Sequence, residues 1–196
     1  WNDELDTEKL IKQIDWMNEN GIGGFFMHAR GGLKTPYLGE KWFECVDACA
    51  KRAEELGMEA YAYDENGWPS GFVGGKLLED TENRDMYLTY SVGEYDKDAL
   101  VSYDISGDRL IRVSAPCEKC LNLYSHYSTS TADILNPEVV QKFLDLTHEE
   151  YKKRCGDRLG RSIKGIFTDE PHRGHLLDNL SDENGVRQCK IAYTND

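Results

Sequence analysis

Apolar residues along this chain recur with two different periods, and the alternation between those periods is the first thing the sequence offers. Leu10, Ile14 and Met17 fall at i, i+4 and i+7 behind Asp6, whose side chain suits a helix N-cap, and Gly21 supplies a stop. Residues 22–27 (Ile-Gly-Gly-Phe-Phe-Met) then read as a buried strand that ends at His28 and Arg30, followed by a glycine-bearing loop through Gly39. A second helix is predicted from Glu40, with Trp42, Val46, Cys49, Ala53 and Leu56 on one stripe and Gly57 as its terminator. Residues 58–63 form a second predicted strand, and it too runs into acids and a turn: Asp64, Glu65, Asn66, Gly67, Trp68 and Pro69.

Residues 84–114 break this rhythm. Residues 87–92 and 100–113 are rich in Tyr, Val, Leu and Ile, and Ser106, Gly107 and Asp108 make a turn, so the simplest account is an inserted β-hairpin. Asn136 and Pro137 then give an N-cap and an N1 proline to one long predicted helix carrying Val140, Phe143, Leu144, Thr147 and Tyr151 and ending near Gly156. Residues 163–171 (Ile-Lys-Gly-Ile-Phe-Thr-Asp-Glu-Pro) form a third apolar run that stops at two adjacent carboxylates and a proline unable to donate to a sheet ladder. Beyond His175 the pattern is polar and aperiodic.

Strand, helix, strand, helix, strand with one interruption is the arithmetic of βαβ units, so the fold class is α/β, with parallel strands and covering helices. A (β/α) barrel is the first candidate. Such barrels take about 250 residues, so 196 residues with an insertion supply at most the first half, a partial TIM-type barrel plus an antiparallel hairpin region. The expected division is residues 1–80 for the first βα units, 81–122 for the insert and 123–196 for the continuation.

Charge narrows the partners. With 36 acidic residues against 23 basic ones the net charge is −13, which repels phosphate backbones and anionic membrane surfaces; neither nucleic acid nor membrane is expected as a partner. No stretch approaches the roughly 20 apolar residues of a spanning helix. The chain opens on Trp1 and Asn2 without a basic-then-apolar leader, and the expectation is an excised piece of a longer protein whose compartment, cytoplasmic or secreted, stays open. Six cysteines in a chain able to build a core are expected as reduced thiols, with Cys45 and Cys49 as small buried hydrophobes on the second helix. Cys117 and Cys120 form a C-x-x-C without a second pair at zinc spacing, and a loop pair without function is expected there, a metal or a disulfide being the remaining readings.

Three strand ends bring chemistry: His28 and Arg30; Asp64, Glu65 and Trp68; Asp169, Glu170 and His172. A carboxylate-rich, aromatic-walled mouth suits a polyhydroxylated neutral ligand whose ring stacks on Trp68 while its hydroxyls bridge to acids. Glycoside cleavage needs one carboxylic acid to protonate the departing oxygen and a second carboxylate about 5 to 9.5 Å away. Glu170 is the candidate acid. Asp169 cannot be the second group on an ideal strand, because neighbouring side chains point to opposite faces. The histidines read equally as structural or as ligand contacts, and Trp68 as core or platform. Residues 70–77 (Ser-Gly-Phe-Val-Gly-Gly-Lys-Leu) imitate a phosphate-binding loop, but Leu77 stands where Mg²⁺ needs a hydroxyl and the first glycine is misplaced, so nucleotide binding is excluded. No EF-hand spacing is present.

Residues 24–30 (Gly-Phe-Phe-Met-His-Ala-Arg), 63–71 (Tyr-Asp-Glu-Asn-Gly-Trp-Pro-Ser-Gly), 135–139 (Leu-Asn-Pro-Glu-Val) and 167–171 together resemble the start of the catalytic barrel of α-L-rhamnosidase-type glycosidases, glycoside hydrolase family 106 and its relatives. The resemblance covers residues 1–78 and 123 onward and leaves the hairpin unmatched. It implies a first barrel strand upstream of Trp1, so that the strand before Glu170 is the fourth, whose end carries the acid/base glutamate in the broad clan. Glu170 takes the general-acid role by position, with His28, Arg30, Asp64, Glu65, Trp68, Asp169 and His172 around the sugar. It also implies an inverting reaction, possible Ca²⁺ dependence and a second carboxylate on a later strand, so that this piece alone would be inactive. No cofactor is evident in the residues themselves. Two rival readings stand beside it: a non-catalytic carbohydrate-binding domain, and a metal or structural module built on Cys117 and Cys120. An unclosed barrel would also leave an open sheet edge through which two copies could pair.

Overall fold

The computed structural model describes residues 1–171, 180–181, 187–188 and 191–193. These residues form a mixed α/β protein with two compact units, one made of residues 1–79 and 134–172, the other of residues 80–133 and 173–196.

The first unit holds a parallel three-stranded sheet in the order β1 (Gly24–Ala29), β2 (Glu59–Asn66), β7 (Ile163–Phe167). Helix α1 (Thr7–Glu19) starts at Asp6, whose carboxylate accepts the Lys9 amide at 2.9 Å and so satisfies one of the donors a helix leaves open at its first turn. Helix α2 (Glu40–Leu56) ends at Gly57, which takes φ +69°, a left-handed conformation that costs a glycine nothing. The buried stripe of α2 contains Trp42, Val46, Cys49 and Ala53, as its spacing predicts, and packs with Leu10 and Ile14 of α1 against Met27, Ala29, Ala60, Ala62 and Ile163 of the sheet. Cys45 and Cys49 are both buried, and burial pushes the Cys49 thiol up to about 12. The opposite sheet face carries Phe26, His28, Tyr61, Tyr63 and Phe167 as a chain of ring contacts, with Phe26 53% and Phe167 43% exposed. Three parallel strands with helices on one face are what is observed, without closure into a barrel.

The single long helix expected from residue 137 is instead two, α3 (Pro137–Leu146) and α4 (His148–Cys155). Thr147 separates them: its buried hydroxyl donates to the Phe143 carbonyl at 2.6 Å, a back-bond that bends helices, and its backbone turns to φ −112°, ψ −77°. The break puts His148 at the start of α4, where its ring reaches β2.

The second unit differs more from expectation. Its five-stranded antiparallel sheet runs in the order β10 (Ile191–Tyr193), β3 (Arg84–Gly93), β6 (Cys120–Ala132), β4 (Val101–Asp104), β5 (Ile111–Val113). A further short pair is formed by β8 (Leu180–Ser181) and β9 (Arg187–Gln188). β4 and β5 make the hairpin around the Ser106 to Asp108 turn, but β3 pairs with β6, not with β4. β6 was hidden by its Ser and Thr content, although Leu121 and Leu123 alternate with Asn122 and Tyr124 at strand period. β6 belongs to this sheet, and residues 80–133 lie together in this unit. Cys117 and Cys120 are joined in a disulfide across the approach to β6, their Cα atoms 5.7 Å apart, one of the two remaining readings for a pair expected as a loop without function.

Candidate functional site

The register between β1 and β2 slips after Met27↔Ala62 and resumes at Ala29↔Asn66, and this bulge decides where the acids go. In a regular strand Tyr63, Asp64 and Glu65 would alternate between faces; here all three are buried. Two phenols donate to the Tyr63 carbonyl, Tyr151 at 3.3 Å and Tyr37 at 3.5 Å, with the Trp42 indole donating to Tyr151 at 3.2 Å. Burial pushes Tyr37, Tyr63 and Tyr151 above the usual phenol range.

Glu65 is fully enclosed. Its carboxylate accepts the amides of Asn66 (2.8 Å), Gly71 (3.0 Å), Phe72 (2.9 Å) and Val73 (2.8 Å), and that of Gly74. Residues 70–77 therefore wrap an anion as phosphate loops do, but the anion is the protein's own glutamate. Gly74 at φ +60° lets its amide turn inward, and a Cβ there would sit 3.2 Å from Asn66 Cβ.

Asp64 is also wholly buried and turns toward the helical layer. Oδ1 accepts the Ser70 hydroxyl at 2.7 Å; Oδ2 accepts the Thr168 hydroxyl at 2.6 Å and lies 3.0 Å from His148 Nε2. Ser70 Oγ accepts the Asp169 amide at 2.9 Å, and the Ser70 amide donates to the Asp169 carbonyl at 2.8 Å.

The other strand-end residues are more open. His28 stacks edge-on against Tyr63 with ring centroids 3.7 Å apart, and its buried Nε2 has no hydrogen-bond partner among the described residues. Burial, then the Arg30 guanidinium and the Trp1 amino group, hold His28 below its usual range, while the Asp169 carboxylate pulls the other way. Tyr63 Oη lies 3.3 Å from Asp169 Oδ2 and 2.9 Å from the Gly67 carbonyl. His28, Tyr63 and Asp169 are thus gathered at the carboxyl end of the sheet. Arg30 is exposed just past β1, and Trp68 is 50% exposed in the turn after β2. Glu170 is exposed past the end of β7, with φ +36°, and no described residue donates to its carboxylate. His172 lies outside the described residues.

Sequence reasoning named the acids and missed what holds them: Tyr63, Ser70, His148 and Thr168. Ser70 and Thr168 sit inside the quoted motifs, so their hydroxyls were in view; His148 was hidden by the helix break. Among the described residues no three His, Cys, Asp or Glu side chains gather to hold a metal ion, and the oxygens of Asp64 and Glu65 are already taken by N–H and O–H donors. No described helix is long and apolar enough to cross a membrane.

Among solved structures the chain is similar to a rhamnosidase from Novosphingobium sp. PP1Y, at 21% identity and a TM-score of 0.36, over 48% of this chain. The matched part spans 9% of that protein's length. No family model matches the chain, and no curated protein does.

Proposed function

We propose that this chain is the acid-bearing part of a glycoside hydrolase of the α-L-rhamnosidase type, built on the first strands of a (β/α) barrel, with Glu170 as general acid. One observation carries the reading: of the four carboxylates at the ends of β2 and β7, Glu170 alone is solvent-exposed with no donor on it among the described residues, at the strand end where barrel enzymes keep their chemistry. His28, with an unpartnered buried nitrogen, Arg30, Asp169 and Trp68 supply sugar contacts, and His172 belongs to the same set. Asp64 and Glu65 support the site from behind instead of touching sugar. The partner carboxylate of the reaction is not among these four, and this favours a second reading in which the chain by itself binds carbohydrate without cleaving it.

One titration separates the two. Trp68 fluorescence should change saturably with an aryl α-L-rhamnoside, and Trp68→Phe should abolish that signal. Where the preparation also hydrolyses the glycoside, Glu170→Gln should lower turnover of substrates with poor leaving groups by roughly 10²- to 10⁴-fold and spare activated ones. Binding without turnover supports the second reading; no binding removes both.

A second copy of the chain is the proposed partner for the open sheet. β1 and β7 are its edges among the described residues, and the exposed rings of Phe26 and Phe167 are apolar area a partner would cover. A specific pair would bury more than about 1,000 Å². Light scattering should report a dimer that Phe26→Ser converts to monomer; a monomer at all concentrations removes the proposal.

A further inference from the structure

Asp64 is wholly buried, and it holds three separate partners: Ser70, Thr168 and His148. β7 leaves the sheet ladder at Phe167, opposite Tyr63, so the next residues have no strand to keep them in place. What keeps them is Asp64. Its Oδ2 takes the Thr168 hydroxyl at 2.6 Å, and its Oδ1 takes the Ser70 hydroxyl at 2.7 Å. Ser70 in turn grips Asp169 from both sides: its hydroxyl oxygen accepts the Asp169 amide at 2.9 Å, and its own amide donates to the Asp169 carbonyl at 2.8 Å. The two residues before Glu170 are therefore held by three hydrogen bonds, one directly to the Asp64 carboxylate and two to Ser70, whose hydroxyl that carboxylate accepts. Glu170 itself sits at φ +36°, a region that non-glycine residues occupy only where surrounding structure enforces it.

We infer that Asp64 is a positioning residue for Glu170, acting through Ser70 and Thr168 to fix the direction in which the Glu170 carboxylate leaves the strand end. The catalytic consequence rests on the proposed acid role of Glu170; the mechanical one does not. A carboxylate suits the post because it is all acceptor, whereas the two hydroxyls and the histidine that meet it can each offer a proton. Those bonds offset its desolvation. An amide in its place could accept on one side only, and the hydroxyl facing the NH₂ group would have to turn from donor to acceptor.

The test uses Thr168→Val, which keeps shape and removes the donor, Ser70→Ala, Asp64→Asn and the rescue variant Thr168→Ser. Amide hydrogen exchange at Asp169 should accelerate tenfold or more in the first three, with amides inside β1 and β2 unchanged, and Thr168→Ser should restore the original rate. On a glycoside with a poor leaving group, Thr168→Val should lower kcat about tenfold with KM within twofold, and on an activated aryl glycoside it should change neither. A merely structural role would instead accelerate exchange across the sheet and lower both substrates alike, and that result overturns the inference, as does an unchanged Asp169 rate in Thr168→Val. Should Asp64→Asn fail to fold, Thr168→Val and Ser70→Ala decide the question alone. If the exchange result holds while Glu170→Gln leaves hydrolysis intact, it is the acid role that fails and the clamp that stands.

Discussion

The same dipeptide, Asp-Glu, ends two neighbouring strands, and the two copies live in opposite environments. Asp64 and Glu65 on β2 have no exposed surface, and their four oxygens are filled by five amides, two hydroxyls and the His148 ring. After β7, Asp169 is half-buried with one phenol near it, and Glu170 is exposed with no described donor on it. The difference does not come from the acids. After Glu65 the chain turns back so that the amides of Gly71, Phe72, Val73 and Gly74 converge on the carboxylate, whereas Glu170 is followed by Pro171, which has no amide hydrogen to give.

The largest effect that could break this contrast is on stability. Glu65→Gln puts an NH₂ group where several amides need an acceptor, and with each unsatisfied buried donor costing about 1 to 3 kcal/mol the loss should be roughly 3 kcal/mol or more, a large share of a typical folding free energy. Glu170→Gln should stay within about 0.5 kcal/mol of the parent. Urea unfolding of both variants checks the pair; equal losses would mean that the two acid pairs are not different in kind.

Affinity comes next. Trp68→Ala should weaken binding of an aryl α-L-rhamnoside about tenfold, near 1.4 kcal/mol, by calorimetric titration, while Phe72→Ala, in the loop that wraps Glu65, should act on stability and leave affinity within twofold. The reverse pattern would make the Glu65 loop the ligand contact.

How far the sequence foretold this arrangement depends on the same residues. The stripe of Trp42, Val46, Cys49 and Ala53, the cap at Asp6 and the stop at Gly57 are local signals, readable because neighbours in sequence enforce them. All the strand-end acids were also readable. Their separation into buried and open pairs was not, because it depends on the bulge at residues 63–65 and on Thr147 splitting a helix so that His148 can meet Asp64 from 84 positions away. β6 escaped for a related reason: its pairing with β3 joins distant segments, and Ser and Thr blur its alternation.

The smallest effect expected is on pH. His28 is held below its usual range in the folded chain, so the unfolded chain binds a proton more readily. Its contribution to stability is fully present above about pH 6.5, the unfolded value, and is lost as pH falls through the lower folded value. The melting temperature should drop modestly from pH 7.5 to 5, and His28→Phe should flatten that slope; an unchanged slope would mean His28 is not desolvated at the strand end. At the alkaline side Tyr37, Tyr63 and Tyr151 should resist ionisation above pH 10, seen as a phenolate absorbance step short of the 11 tyrosines present until the fold is lost.

The contrast between the two acid pairs is tested most directly by recording their side-chain carboxyl ¹³C resonances by NMR during titration with an aryl α-L-rhamnoside. Glu170 and Asp169 should shift together with a common saturation curve while Asp64 and Glu65 stay in place, whereas a silent Glu170, or shifts at Glu65 and Asp64 as large as those at Glu170, would contradict the account.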